Sequence, residues 1–223
     1  MIVQESLRAI RQNFVPGLVI WTVAALVVAA YYLVPATSGF FQTIAAWKAS
    51  GGFLYSFAAT ALFAGLIPFA FLMVMPATRA QATGSALAFL LIFWGYRGVE
   101  IDLLYRLQGV MFGTAPAVGT IAAKVAFDLF VYNVVWAAGL QLLVYHWKNH
   151  RYRLKAFHGF HWHEFFTKRL PVAVVSTWVI WLPVVTLVYS LPADLQIPLF
   201  NLAACFWSMV VATLTSEKRV KSS

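Results

Sequence analysis

Between Trp94 and Asp128 the chain holds six charged side chains in surroundings apolar enough for a lipid bilayer: Arg97, Glu100, Asp102, Arg106, Lys124 and Asp128. A charge at the centre of a bilayer costs roughly 2.5 kcal/mol or more on insertion scales. A chain keeps such groups where they pair with one another, where they line water, or where they do both. On a helix Arg97 and Glu100 share a face, as do Asp102 and Arg106, and Lys124 and Asp128. The spacing therefore predicts three local ion pairs. Such pairs either hold a bundle together or line a path for a polar or ionic solute, and pairing does not separate the two uses. Tyr105, Tyr132, Asn133 and Gln141 could extend a polar lining, or bond between helices.

Other chemistry is weaker in the sequence. All five histidines fall within eighteen residues: His146, His150, His158, His161 and His163, with Glu164 beside the last. His146 and His150 are four apart, a spacing that can bind a metal. No cysteine lies near them and no HExxH pattern forms, so these are weak candidates, better read as amphipathic, pH-responsive residues of an interfacial loop. There is no GxSxG, Walker-type glycine loop or dinucleotide fingerprint. Gly51-Gly52 reads as an ordinary turn at a helix start. Neither an enzymatic reaction nor a cofactor is expected. Cys205 is the single cysteine, so no internal disulfide is possible.

The elements that must position these residues follow from composition. The chain has 223 residues, 62% of them hydrophobic and 10% charged, against about 25% charged in soluble domains. Lipid replaces water as the main solvent, and the predicted fold is an all-α, polytopic transmembrane helical bundle. Residues 1–14 carry an apolar face with Arg8 and Arg11 and read as an amphipathic interfacial segment. The apolar run after it is read as retained, not as a cleaved signal. A single bundle domain over 15–215 and a basic tail over 216–223 complete the chain.

Six apolar runs near the ~20 residues needed to cross hydrocarbon are predicted: 15–34 (capped by Asn13), 51–75 (kinked at Pro68), 84–108, 117–147, 171–191 (kinked near Pro183) and 195–214. Residues 36–50 are predicted as a loop. The basic, aromatic stretch 148–170 is predicted as the main hydrophilic loop, suited to anionic headgroups. Of the sixteen Lys and Arg residues, twelve fall in the N-terminus, the 76–83 loop, the 148–170 loop and the tail. Lys48 alone falls on the opposite side. This bias puts both termini on the cytoplasmic or equivalent side. Dropping the third and fourth runs together would leave four crossings in the same orientation. The net charge of +9 then points to lipid headgroups and not to nucleic acid.

Two stretches resemble the Mpv family, small integral membrane proteins of mitochondria and peroxisomes. Gly95-Tyr-Arg-Gly98-Val-Glu-Ile-Asp102-Leu-Leu-Tyr105, followed by Lys124 and Asp128, is similar to the family's G-x-x-G-P-x-x-H-x-W-Y and then K-x-x-x-D-Q. Val99, Asp102, Leu104 and Leu129 stand where the family has Pro, His, Trp and Gln. Trp178, Trp181 and Pro183, then Pro192, then Trp207 fifteen residues on, resemble W-x-x-W-P, a later V-P and a final Trp. Here the Pro after the second Trp is displaced by one residue. The resemblance covers roughly residues 90–215. It implies a channel-like or solute-flux protein, in a family described with four spans, and either a bacterial inner membrane or an organellar one (mitochondrial inner or peroxisomal).

The expected function is thus a channel or passive transporter for small polar or ionic solutes, with Arg97, Glu100, Asp102, Tyr105, Arg106, Lys124 and Asp128 lining or gating its path. The alternative is a scaffolding membrane protein whose charges only hold the bundle. A membrane-embedded enzyme using Glu100, Asp102 or the histidines ranks last. Substrate and oligomeric state stay open.

Overall fold

Where lipid is the solvent, each backbone amide must find its partner inside the protein, and a helix does this within one segment. The computed structural model describes the backbone of residues 2–76 and 78–220, and the side chains of 17–76, 78–80 and 82–209. Among these residues the protein is helical, with turns and no strand. The order is α1 (Ile2–Leu33), α2 (Ser38–Thr60), α3 (Ile67–Val74), α4 (Gly84–Phe112), α5 (Val118–Ala126), α6 (Ala138–Asn149), the short α7 (Trp162–Glu164), α8 (Leu170–Ser190) and α9 (Ala193–Val220). Three continuous helical stretches are long and apolar enough to cross a membrane: Pro35–Val74, Val118–Asn149 and Trp162–Ser190. Gly17–Leu33 is a shorter apolar helix.

Several predicted boundaries shift. The helix α1 passes unbroken through Asn13 and Pro16, so Asn13 starts nothing. The face presented by residues 1–14, and the side chains of the tail 216–223, lie outside the described residues. Residues 36–50, expected as a loop, are helical, first as a 3₁₀ turn Pro35–Thr37 and then as the first half of α2. The break comes at Gly52, whose φ of 52° and ψ of −128° interrupt α2. Only glycine adopts that backbone without a steric penalty. The predicted turn is therefore a sharp kink between two helical segments. The end of the 148–170 loop is also helical, because α7 and a π segment (Phe165–Arg169) run directly into α8.

Besides Phe165–Arg169, two π segments lie in the transmembrane-length helices. Ala61–Leu66 precedes Pro68, where the missing N–H of proline breaks the α pattern and a wider turn absorbs the mismatch. The other spans Phe127–Ala137 and interrupts the α spacing after Ala126.

Burial is inverted relative to a water-soluble protein. Arg97, Asp102, Lys124 and Asp128 are buried, while Leu54, Ile92 and Val135 are 75%, 66% and 77% exposed. An apolar exterior around a charged interior is the distribution that a lipid solvent selects. Close backbone approach tightens the interior. A Cβ on Gly98 would run into the Ser56 carbonyl and the Thr60 side chain, and one on Gly65 would meet the Leu90 carbonyl at 3.0 Å. Gly98→Ala is expected to lower stability by about 1–3 kcal/mol through overpacking against backbone. Gly119→Ala, in a helix with open space around it, should gain a few tenths to about 1 kcal/mol. Thermal unfolding of the two variants in detergent checks the contrast, and equal effects would refute the close-packing account.

Candidate functional site

Asp102 is the most heavily engaged charge in the bundle. Its Oδ2 accepts from Lys48 Nζ at 2.9 Å and from Ser56 Oγ at 2.7 Å, and its Oδ1 accepts from Arg106 Nε at 3.0 Å. The predicted Asp102–Arg106 pair thus forms, but the stronger partner is Lys48, which the sequence placed in a loop outside the membrane. Lys48 is 3% exposed. The α2 segment before the Gly52 kink carries it inward, and the segment after the kink brings Ser56 to the same carboxylate. Arg106 sits at the edge, its side chain 54% exposed and its guanidinium 4.7 Å from the centre of the Phe53 ring.

Arg97 and Glu100 form the expected pair at 2.7 Å. Tyr132 donates a hydrogen bond to the same Glu100 oxygen, and its ring lies 5.8 Å from the Arg97 guanidinium carbon. The third expected pair does not form. Asp128 accepts from the Tyr189 hydroxyl at 2.7 Å instead. Lys124 Nζ lies 5.7 Å from the centre of the Tyr189 ring. The α spacing that puts positions four apart on one face ends at Ala126, where the π segment begins. Asp128 stands at the start of that segment, where the Tyr189 hydroxyl of α8 takes its carboxylate.

Two cavities run along these residues. The smaller, about 220 Å³, is walled by Arg97, Tyr105, Asp128, Tyr132, Asn133 and Gln141 together with Thr177, Trp181 and Trp207. Asn133 Oδ1 is buried there without a hydrogen-bond partner among the described residues. The larger, about 480 Å³, is walled by Lys48, Asp102, Tyr105, Arg106 and Lys124, and it reaches Gly109, Thr114, Ala193 and Asp194 in and beside two inter-helix turns. Tyr105 belongs to both walls. Its ring packs edge-on against Tyr189, with centroids 5.2 Å apart. The α4 residues on the two walls extend from Trp94 to Val110. At 1.5 Å per residue that is about 24 Å, close to the ~30 Å of a bilayer's hydrocarbon core.

The aromatic motif residues brace this arrangement. Trp178 Nε1 donates to the Leu129 carbonyl within the π segment at 2.8 Å. Trp181 packs on Phe200. Pro183 lies inside α8, where it denies the Val179 carbonyl its usual donor, and Trp21 Nε1 bonds the neighbouring Ile180 carbonyl at 2.8 Å. Pro192 stands in the turn before α9, and Gly95 packs against the Phe57 ring. Sequence reasoning missed Lys48, Ser56 and Tyr189. Of these only Lys48 left a signal, as the one cation between Pro35 and Val74.

The histidines do not assemble. The rings of His146 and His150 are 4.1 Å apart, but His146 Nε2 bonds the Ala156 carbonyl and His150 Nδ1 the His146 carbonyl. Among the described residues no three of His, Cys, Asp and Glu converge as metal ligands, and His158, His161 and His163 join no such group.

Removing the Tyr189 hydroxyl tests the pairing of Asp128. Tyr189→Phe should cost about 1–3 kcal/mol, because a buried carboxylate loses its donor. In an Asp128→Asn background the same change should cost measurably less. Thermal melts of the four proteins of this cycle decide it, and strictly additive losses would show that the hydrogen bond is not the source. No family model, curated protein or solved structure gives a significant match to this chain.

Proposed function

We propose that the protein is an integral membrane channel or passive transporter for small polar or ionic solutes, and that the two cavities in series are its path. The observation that carries this reading is the shared wall. Two spaces, each setting charged and polar groups among apolar ones, follow one another along the bundle and share Tyr105, whose ring packs on Tyr189, over a length close to that of the hydrocarbon core. A bundle needing charges only as glue would have no reason to keep Asn133 Oδ1 buried and unpartnered beside the cavity. In this reading α1, the segment after Gly52, α4, the Val118–Asn149 stretch, α8 and α9 make six crossings, and both termini face the cytoplasmic or equivalent side. The burial of Lys48 strengthens the charge bias, since it was the one cation counted on the opposite side. The similarity to Mpv-type motifs points the same way, to solute flux and not catalysis, in a bacterial inner or an organellar membrane.

A scaffolding role keeps one specific support. Asp102, with donors on both oxygens, is bonded as a structural clamp would be. Conductance of the purified protein in a planar bilayer separates the readings. Discrete openings are expected, with ion selectivity altered in Asp128→Asn and Arg97→Gln. A silent bilayer from protein shown to be folded and inserted would end the channel reading.

A further inference from the structure

We infer that the larger cavity holds a binding site for one small monovalent anion, a halide or a short carboxylate, centred on the Lys124 ammonium. The inference rests on reading that cavity as part of the solute path, and it names the class of solute.

Lys124 is 3% exposed and lies on the wall of the ~480 Å³ cavity. Among the described residues its Nζ makes no hydrogen bond or ion pair, and it lies 5.7 Å from the centre of the Tyr189 ring. A buried cation without a counter-charge is strongly disfavoured. The other charges on the same wall do not relieve it. Asp102 is the only buried carboxylate there, and Lys48, Ser56 and Arg106 occupy it. Asp194 is exposed in the first turn of α9 and forms no ion pair among the described residues. Asp128 lines the other cavity and accepts from Tyr189. The wall therefore carries three cations against two carboxylates, a net positive charge, and Lys124 is the cation on it with no carboxylate within ion-pair distance among the described residues. Water fills about 30 Å³ per molecule in the liquid, so the space admits a small anion with part of its hydration shell. One surplus charge fits a monovalent ion.

Binding can be read in detergent without any flux. Thermal unfolding would be followed while sodium chloride or sodium acetate replaces sodium gluconate at constant ionic strength. Gluconate is the bulky reference. A saturable rise of roughly 3–5 °C at ten times the dissociation constant is expected for chloride, acetate or both. It should be lost in Lys124→Gln and retained in Lys124→Arg. If Lys124→Gln does not fold, Thr114→Glu serves, since it adds a carboxylate to the same wall from an exposed position and should also abolish the rise. Inorganic phosphate and vesicles of phosphatidylglycerol form separate arms, and a response confined to either would replace the small anion by a phosphate or a lipid headgroup. No anion-specific rise in the unaltered protein, or an undiminished rise in the folded variant, overturns the inference. A conducting protein that binds no anion would sink this inference alone. A protein that binds the anion but never conducts would sink only the channel reading.

Discussion

Asp102→Ala is expected to destabilise the bundle by about 3–5 kcal/mol, the penalty for removing one partner of a buried ion pair. The carboxylate is 3% exposed and is the only acceptor that Lys48 has among the described residues. Without it, an ammonium that is itself 3% exposed is left without a counter-charge and beside two other cations. At roughly 2–4 °C per kcal/mol for a protein of this size, the melting temperature in detergent should fall by at least about 6 °C. Two companions make the result interpretable. Arg106→Ala removes the more exposed partner and should cost less than about 1 kcal/mol. Lys48→Met combined with Asp102→Leu removes both buried charges and should recover most of the loss, because a well-packed apolar pair often matches a buried ion pair in stability. If Arg106→Ala were as damaging as Asp102→Ala, the burial of Lys48 would not be what makes Asp102 important.

That cluster also shows where sequence reading stops. α4 was legible almost to its ends, predicted at 84–108 and observed at Gly84–Phe112. Its apolar first half, its Thr83 N-cap bonded to the Ala86 amide at 3.2 Å and its charges at helical spacing all agree. The pairs Arg97–Glu100 and Asp102–Arg106 could be read for the same reason, since both lie within one regular α-helix. Lys48 could not. The stretch around it carries Ser38-Gly39 at one end and Ser50-Gly51-Gly52 at the other, which are turn residues by composition. Its partner lies 54 residues away, beyond the reach of any local pattern. The Lys124–Asp128 spacing failed for another reason. Helical periodicity assumes an α turn throughout, and nothing local in Phe127–Ala137 announces a π segment. The packing of Trp178 against the Leu129 carbonyl and of Tyr189 against Asp128 comes from α8, 49 and 61 residues on. Tyr105, Tyr132, Asn133 and Gln141 were singled out only as polar groups in apolar helices. All four line the smaller cavity, because a polar group that avoids lipid can only face the interior.

The division between the two cavities yields the largest functional effect to be expected. Tyr105→Ala should raise solute flux or single-channel conductance by roughly tenfold, equivalent to about 1.4 kcal/mol off the barrier. Tyr105 is 7% exposed and is the α4 ring present on both walls. Edge-on packing against Tyr189 holds it across the junction, and Asp128 fixes Tyr189 in turn through its hydroxyl. A truncated side chain would join a ~220 Å³ space to a ~480 Å³ one and let water run between them. Tyr105→Phe keeps the ring and should change conductance less than twofold, because the block is steric and its hydroxyl makes no hydrogen bond among the described residues. Leu103→Ala, on the outer side of α4 and 58% exposed in the unaltered protein, should leave conductance unchanged. Tyr105→Ala will also cost stability, about 3–5 kcal/mol by analogy with other aromatic truncations, so the recordings need protein whose folding is checked by its melting curve. A folded Tyr105→Ala variant with ordinary or reduced conductance would mean that the path, if one exists, does not pass this ring. A large increase shared by Tyr105→Phe would move the barrier from the ring to its hydroxyl. Only an increase confined to loss of the ring fits a gate formed by Tyr105 and braced by Tyr189 and the Asp128 carboxylate behind it.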